Sequence, residues 1–205
     1  RWPTPALLAK ATPAQVITAW GRLGYPRRAL RLHECAKVIT TQYKGVIPRD
    51  EAELRKLPGI GEYTAAAMVA FAFGGRSLVL DINIRRLFAR IVDGVESPKL
   101  SATKDEESRY EELIPKKNSH LWAAATMELG ALVCTSQSPK CGICPVANEC
   151  TWRSLDYPKS DVIKRTQSWH GTDRQCRGTV VQALRENDVL TKAQITQLWD
   201  VPSQL

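Results

Sequence analysis

The residues with the clearest chemistry are four cysteines that lie close together in the second half of the chain, whereas the other two stand alone. The group has the spacing Cys134-x6-Cys141-x2-Cys144-x5-Cys150. Four thiolates without an intervening histidine can hold a zinc ion or an iron–sulfur cluster, and ligand chemistry alone favours zinc. Clustering of this kind indicates metal ligation in a reducing compartment rather than the disulfide framework of a secreted domain.

A glycine-containing turn, Pro58-Gly59-Ile60-Gly61, is the second candidate site. Glycine lets the backbone approach a ligand closely, and the N–H groups at the start of the following helix point outward with the positive end of its dipole. The turn can therefore hold one phosphate. An ordinary connection between two helices has the same sequence pattern, so the turn alone leaves both interpretations open.

Composition favours an anionic partner. Among 205 residues, 29 Lys and Arg against 21 Asp and Glu give a formal charge of +8, which suits nucleic acid first and a membrane surface second. The longest stretch of small and apolar residues, 65–73, is shorter than the roughly 20 residues that cross a bilayer. Because Arg1 begins neither a signal peptide nor a chain with an initiator Met, we expect a cytoplasmic protein whose true start precedes it.

The elements that position these residues are predicted to be helices, since apolar residues recur at helical spacing and alternate only at 77–80. Caps, prolines and glycines give their bounds. The predicted helices cover 13–23, 27–43, 50–57, 62–73, 82–92, a segment containing 122–133, 178–187 and 191–199. Residues 157–175 mix Pro, Lys, Ser, Gly and Asp without a period and are predicted to be a linker. The sequence thus predicts an all-α fold.

The order and spacing of several motifs resemble the helix-hairpin-helix DNA glycosylases that contain endonuclease III and, more closely, the adenine DNA glycosylases of the MutY type. The resemblance runs from Arg1 to about Tyr157. Its motifs are Leu23-Gly24-Tyr25 with Arg28-Ala29, Leu57-Pro58-Gly59-Ile60-Gly61 with Tyr63-Thr64-Ala65, Leu80-Asp81-Ile82-Asn83, and Met127-Glu128-Leu129-Gly130-Ala131 before the cysteines. It implies a two-lobed fold with a helical-bundle lobe at 1–78, a cluster lobe at 79–157 and a linker with a C-terminal helical segment at 158–205.

The resemblance also implies a cofactor and a partner. In that family the same cysteine spacing holds a structural [4Fe–4S] cluster, which replaces the zinc expected from ligand chemistry. The partner is double-stranded DNA with a mismatch or an oxidised base, bound by a monomer between the two lobes. The resemblance implies that Tyr25 is the intercalating wedge and that the hairpin Pro58, Gly59, Ile60 and Gly61 with Tyr63 contacts DNA. The basic residues suited to phosphate contacts are Arg27, Arg28, Arg31 and Lys140, although a solvated basic face would have the same sequence.

Breaking an N-glycosidic bond builds positive charge on the sugar, so a nearby carboxylate lowers the barrier. Asp81 matches the family's aspartate for this role and Asn83 a polar residue that supports it, although a plain helix cap would have the same sequence. Bifunctional relatives carry a lysine nucleophile at position 63, where this chain has Tyr63. The resemblance therefore implies a monofunctional enzyme that uses water and leaves an abasic site.

The chain departs from the family's pattern in three places. The catalytic glutamate of adenine glycosylases would lie on a helix preceding Arg1, so the segment alone is expected to be inactive. Residues 157–205 are expected to be too few for the domain that reads 8-oxoguanine in many family members. A second tyrosine that commonly follows the wedge is Pro26 here.

The expected activity is hydrolytic removal of adenine mispaired with 8-oxoguanine or guanine, on the bacterial nucleoid. Three other interpretations of the function remain open from the sequence. A mismatch thymine or uracil glycosylase would share the fold, since such enzymes also carry tyrosine at the lysine position. A non-catalytic module could recognise distorted duplex, and a structural zinc protein would need only the cysteines.

Overall fold

A computed structural model describes residues 1–160, 168–187 and 189–204. Regular structure within these ranges is entirely helical, and the alternating residues 77–80 form no strand. The helices are α1 Pro5–Ala9, α2 Pro13–Trp20, α3 Arg27–Gln42, α4 Glu51–Arg55, α5 Glu62–Ala67, α6 Ile82–Ile91, α7 Lys104–Glu112, α8 Ser119–Leu132, α9 Thr151–Ser154, α10 Asp173–Glu186 and α11 Lys192–Thr196. Short 3₁₀ turns lie at Cys141–Ile143 and Pro202–Gln204. The described part of the chain has no helix that could span a bilayer.

The chain divides into two compact units. Unit 1 combines Arg1–Gly45 with Lys164–Leu205, and unit 2 is Val46–Ile163. The N-terminal and C-terminal parts of the sequence therefore belong to one unit. The lobe boundaries at residues 78 and 157 that the resemblance implies stay a prediction.

In unit 1, α1 and α2 pack against the long helix α3. Helix α2 begins where predicted, because the Thr12 side chain accepts a hydrogen bond from the Gln15 N–H at 3.2 Å and Gln15 Oε1 accepts one from the Thr12 N–H at 2.9 Å. This reciprocal pairing satisfies backbone donors that the first turn of a helix leaves free. Small and apolar residues line the inner side of α3, with Ala29 and Ala36 at 0 % and 3 % exposure.

The C-terminal helix α10 begins at Asp173, five residues before the predicted start at 178. Thr172 caps it by accepting a hydrogen bond from the Gln175 N–H at 3.3 Å. The predicted linker 157–175 therefore ends before residue 173, where α10 begins. Its residues 161–167 lie outside the described part of the chain.

Unit 2 is built around α6, which is buried on every side from Ile84 to Arg90. Its Phe88 ring lies between two aromatic rings, with centroids 5.0 Å from Tyr110 of α7 and 5.4 Å from Trp122 of α8. Such pairs add to the free energy of burial. The pattern of α6 alone suggests a polar face bearing arginines, and the structure buries that face as well.

The predicted helix over 62–73 is divided in the structure. α5 ends at Ala67, and a π-helical turn, Met68–Ala72, follows, in which the Phe73 N–H donates to the Met68 carbonyl at 3.2 Å. Such insertions into an α-helix are rare and occur often near functional sites. The turn ends close to the next loop, since a Cβ on Gly75 would lie 2.8 Å from Val69 Cγ1.

Candidate functional site

The hairpin in unit 2 consists of α4, a turn and α5. Gly59 adopts φ +81°, a left-handed conformation that favours glycine, and the Ile60 N–H donates to the Leu57 carbonyl at 3.1 Å. Gly61 is the N-cap of α5 and is exposed, and no side chain makes a capping hydrogen bond at the start of the helix. Tyr63, the second residue of α5, is 45 % exposed. The predicted residues therefore form one exposed turn with accessible backbone donors.

The predicted catalytic carboxylate, Asp81, is the N-cap of α6. Its Oδ1 accepts a hydrogen bond from the Ile84 N–H at 2.7 Å, and its Oδ2 accepts one from Asn83 Nδ2 at 2.9 Å. The carboxylate is partly buried. One oxygen thus caps the helix while the other is oriented by Asn83, so the two roles considered from the sequence use different oxygens of one group.

A buried arginine extends this pair toward the first clustered cysteine. Arg86 donates to Asn83 Oδ1 at 3.0 Å and to the Gly130 carbonyl at 2.5 Å, while its Nε donates to the Cys134 carbonyl at 2.8 Å. Burial is the main cause that lowers the pKa of the Arg86 guanidinium, and the neighbouring Arg90 adds to it. Asp81, Asn83 and Arg86 therefore form a continuous hydrogen-bonded chain that ends at the backbone of Cys134.

The hydrogen-bonded chain from Asp81 through Asn83 to Arg86 depends on a close contact between α6 and α8. A Cβ added to Gly130 would lie 2.7 Å from the Asn83 carbonyl oxygen, closer than real Cβ atoms approach backbone. Only glycine lets the two helices come this near. The Gly130 carbonyl then stands within reach of Arg86, as its hydrogen bond shows.

The four clustered cysteines line one cavity of unit 2. The other lining residues are mostly apolar and come from α6, the cysteine segment and α9: Leu87, Arg90, Ile91, Val133, Pro139, Ala147, Trp152 and Arg153. Four thiolates that line one cavity fit a cluster, whose iron atoms each take one thiolate.

Arg90 is the buried cation that lines this cavity and is 1 % exposed. It donates to the carbonyls of Glu96 at 2.9 Å and Thr135 at 2.8 Å and to Cys134 Sγ at 3.3 Å, and its guanidinium lies 4.5 Å from the Trp152 ring centroid. Burial raises the pKa of the Cys134 thiol, and the hydrogen bond and charge of Arg90 oppose that rise. Arg90 therefore supplies positive charge beside sulfur that must be ionised to bind iron.

Lys140 lies on the exposed rim of the cysteine segment. Its backbone N–H donates to the Val133 carbonyl at 2.9 Å, and the 3₁₀ turn Cys141–Ile143 starts directly after it. Ile143 in that turn is 71 % exposed. The segment thus presents a cation and an apolar side chain to solvent, while its cysteines face the cavity.

In unit 1 the predicted wedge, Tyr25, lies on a strained turn between α2 and α3. It is 60 % exposed and has φ +46°, which is unusual for a bulky residue, and it follows Gly24 at φ +73°. Trp20 Nε1 donates to the Gly24 carbonyl at 2.8 Å and so fixes the turn. A strained, exposed aromatic residue is typical of a functional position.

The predicted basic residues beside the wedge are also exposed. Arg27 and Arg28 form the first turn of α3, and Arg31 follows on the same helix. The structure therefore places the predicted site residues in two groups. Tyr25 and the arginines belong to unit 1, whereas the hairpin, Asp81, Asn83, Lys140 and the cysteines belong to unit 2.

Sequence reasoning did not identify Arg86 and Arg90, which contact Asn83 and Cys134 of the candidate site. They are 7 % and 1 % exposed, although arginine is seldom buried unless paired. The signal was present, since positions 86 and 90 share one face of α6 that also carries Asn83. On an amphipathic helix, however, arginines at this spacing are usually a solvated face.

Two family descriptions match the chain. Residues 42–71 match the helix-hairpin-helix motif, and residues 134–150 match the iron–sulfur binding domain of endonuclease III. The second match begins and ends at clustered cysteines. It corrects the preference for zinc from ligand chemistry, and the chain carries a [4Fe–4S] cluster.

Adenine DNA glycosylases of several organisms are similar to most of this chain. An adenine DNA glycosylase of Mycolicibacterium smegmatis is 48 % identical over 97 % of this chain, which covers 68 % of that protein. The Mycobacterium tuberculosis adenine DNA glycosylase is 44 % identical, with 97 % and 66 % covered. The human adenine DNA glycosylase is 36 % identical over 75 % of the chain and 28 % of its own length. The chain therefore spans about two thirds of the mycobacterial relatives' length.

Solved structures agree as well. A thermostable thymine-DNA glycosylase superposes with a TM-score of 0.68 at 27 % identity, covering 74 % of this chain and 70 % of that one. A non-covalent endonuclease III–DNA complex gives 0.65 at 25 % identity, covering 76 % and 72 %. The predicted all-α glycosylase fold is confirmed, as is binding of DNA as the class of partner. The chain belongs to the adenine DNA glycosylases, base-excision-repair hydrolases of the helix-hairpin-helix superfamily that act on N-glycosyl bonds.

Proposed function

We propose that the protein containing this chain removes adenine mispaired with 8-oxoguanine or guanine and leaves an abasic site. The similarity to an adenine glycosylase over 97 % of the chain is the observation that carries the proposal. The substrate must leave the base stack, which costs a few kcal/mol and requires a wedge and a bent duplex. Residues of unit 1 and of unit 2 are assigned to these steps.

We assign the chemical role within this chain to Asp81. As the N-glycosidic bond breaks, positive charge develops on the sugar, and the carboxylate oxygen oriented by Asn83 at 2.9 Å stabilises it. Arg86 donates to Asn83 Oδ1 and thereby orients the amide so that Nδ2 faces Asp81. Asp81 is thereby fixed before the substrate arrives, which is what electrostatic stabilisation requires.

Tyr63 supports a hydrolytic mechanism. A bifunctional enzyme needs an amine that attacks the sugar and forms a Schiff base, and a phenol at this position cannot do so. The Tyr63 side chain is 45 % exposed at the second residue of α5. Water is therefore the nucleophile in the proposed reaction, and strand cleavage is not expected.

We assign DNA contacts to exposed residues of each unit. The hairpin Pro58, Gly59, Ile60 and Gly61 would donate backbone N–H groups to a phosphate, with Tyr63 beside it. Arg27, Arg28 and Lys140 would contact further phosphates, and Tyr25 would intercalate. Cys134, Cys141, Cys144 and Cys150 would hold the cluster, which keeps the Lys140 segment folded.

We further propose that the enzyme acts as a monomer on cytoplasmic DNA. A reducing compartment keeps cysteines as thiols, which the four cluster ligands need in order to bind iron. The charge of +8 favours duplex DNA as the partner.

Competition between mispairs tests the proposed substrate. The full-length protein is given equal amounts of A:8-oxoguanine, A:G, T:G and U:G duplexes, and the released base is identified for each. We expect excision of adenine from the first two and an abasic site without strand cleavage. Preferred release of thymine would instead favour the second candidate, since a thymine-DNA glycosylase shares the fold with a TM-score of 0.68. Binding of mispairs without any excision would indicate a non-catalytic module.

The Lys140→Ala substitution tests the phosphate role of the cysteine segment. Because a phosphate contact carries no sequence information, we expect weaker binding to all duplexes and a salt slope smaller by about one. Titrations at several salt concentrations measure both. Lys104→Ala is the matched control, since Lys104 is also exposed but is followed by Asp105 and Glu107 in the first turn of α7, whose carboxylates repel DNA. A loss confined to one sequence would contradict the assignment.

A further inference from the structure

The ring of Tyr25 is contacted by an arginine from the C-terminal part of unit 1. The Arg174 guanidinium carbon lies 4.7 Å from the centroid of the Tyr25 ring and 5.3 Å from that of Trp169. Both distances are within the roughly 6 Å over which a guanidinium is attracted to an aromatic face. One face of the exposed Tyr25 ring is therefore covered by a cation.

The turn that begins α10 fixes the position of Arg174. Thr172 Oγ1 accepts a hydrogen bond from the Gln175 N–H at 3.3 Å and donates to the Trp169 carbonyl at 2.8 Å. Gln175 Oε1 in turn accepts a hydrogen bond from the Gly171 N–H at 2.8 Å. Arg174 and Trp169 are thus held by the same capped turn, so the guanidinium has a defined place beside the ring.

The end of the described chain anchors this turn. Cys176, one turn into α10, is 1 % exposed, and its Sγ donates to the Gln204 carbonyl at 3.4 Å. Gln204 Nε2 donates to the Gly171 carbonyl at 3.2 Å, and Gln204 Oε1 accepts from Trp199 Nε1 at 2.5 Å. The support for Arg174 is therefore a packed structure rather than a single contact.

Tyr25 needs such support more than an ordinary surface tyrosine. It is 60 % exposed and its backbone is left-handed, so its own turn leaves the ring largely without packing. Entry into a base stack requires one orientation of the ring, and fixing a free side chain costs entropy at the moment of binding. A cation on one face restricts the ring beforehand and leaves the opposite face for a base.

We propose that Arg174 is a positioning residue for Tyr25, holding its ring in the orientation that enters mispaired DNA. The inference rests on the wedge role of Tyr25 in the proposed function. It makes the C-terminal segment of unit 1 part of mispair recognition, through a side chain rather than through a separate reading domain. The positive charge of Arg174 stays beside the ring when the polyanionic duplex approaches.

A double-mutant cycle in the full-length protein tests the proposal. Dissociation constants are measured for Tyr25→Leu, Arg174→Gln and the double variant, on an A:8-oxoguanine duplex and on a fully paired duplex of equal length. We expect Arg174→Gln to weaken binding to the mispair about fivefold, the contribution of one exposed cation–π contact, with little change for the paired duplex. In the Tyr25→Leu background the same substitution should have no further effect. Arg174→Lys keeps the charge and should recover part of the affinity.

Arg177→Gln is the matched control, because Arg177 is an exposed arginine one turn further along α10 and its loss changes the charge equally. Thermal unfolding of each variant verifies that unit 1 stays folded. Additive losses in the cycle, equal on both duplexes, would make Arg174 a phosphate contact and contradict the positioning role. Tighter binding by Arg174→Gln would make the contact a restraint on Tyr25 and also overturn it.

The same cycle separates this inference from the proposed function. If Tyr25→Leu binds and excises the mispair normally, the wedge role fails and the positioning role fails with it. If Tyr25→Leu loses affinity while Arg174→Gln does not, only the positioning role is wrong. A fluorescent adenine analogue placed next to the mispair gives a second readout, since a mispositioned ring should reduce unstacking of that base.

Discussion

Asp81→Asn should slow excision of mispaired adenine about 100- to 1,000-fold while leaving duplex affinity nearly unchanged. Removing one preorganised electrostatic partner of a transition state has this magnitude in other enzymes. Asparagine keeps an oxygen that can accept the Ile84 N–H, now 2.7 Å from Asp81 Oδ1, so the helix start survives. Its neutral amide cannot stabilise a sugar cation. Single-turnover rates and equilibrium binding on the same duplex measure the two effects separately.

Asp50→Asn is the matched control for this substitution. Asp50 caps α4 in the same unit by accepting a hydrogen bond from the Glu53 N–H at 3.1 Å, as Asp81 does for α6. Both carboxylates therefore have the capping role, but only Asp81 is also oriented by Asn83. A comparable loss of rate in both variants, or equal losses of rate and affinity in Asp81→Asn, would mean that Asp81 acts only as a cap.

Arg90→Met should have the largest effect on stability, about 3 kcal/mol or more, together with loss of iron. Methionine fills part of the space but leaves the buried carbonyls of Glu96 and Thr135 without their donor, and each orphaned group costs about 1–3 kcal/mol. It also removes the cation 3.3 Å from Cys134 Sγ. Thermal unfolding measures the first effect, and iron per chain with visible absorbance measures the second.

Arg85→Met separates cluster binding from general destabilisation. Arg85 is equally part of α6 and is buried, but it pairs with Glu106 at 3.0 Å and donates to the Lys99 carbonyl at 3.0 Å. Removing it strands a buried carboxylate and should lower stability by a similar amount. We expect the folded Arg85 variant to keep its iron. Full iron content in Arg90→Met would show that the cluster does not depend on this guanidinium.

Local signals in the sequence were enough to place most of the helices and the hairpin. Thr12, Asp50 and Asp81 were readable as caps, and each accepts the backbone N–H three residues on. Caps and glycine turns act over a few residues, so their effect is visible without the fold. The π-helical turn Met68–Ala72 was not visible, because a run of small apolar residues is compatible with continuous α-helix.

Features that depend on distant parts of the chain could not be predicted. The cysteines were identified by their spacing and Asp81 by resemblance, but their connection through Arg86 requires α6 and α8 to be in contact. The arginine over Tyr25 belongs to a segment whose sequence carries no sign of that neighbour. Sequence periodicity indicates which face of a helix is apolar, and it does not identify the partner.

The contact at Gly130 implies that a residue with no functional group of its own has the strictest size limit near the reaction centre. A single methyl group there would push against the Asn83 carbonyl, 2.7 Å away, and separate α8 from α6. A library of substitutions should therefore show that position 130 tolerates almost as few residues as Asp81. Variants at position 130 would lose activity because the distance between α6 and α8 increases. A substitution at Gly130 would leave the Asp81 and Asn83 side chains present and still displace them from their aligned positions.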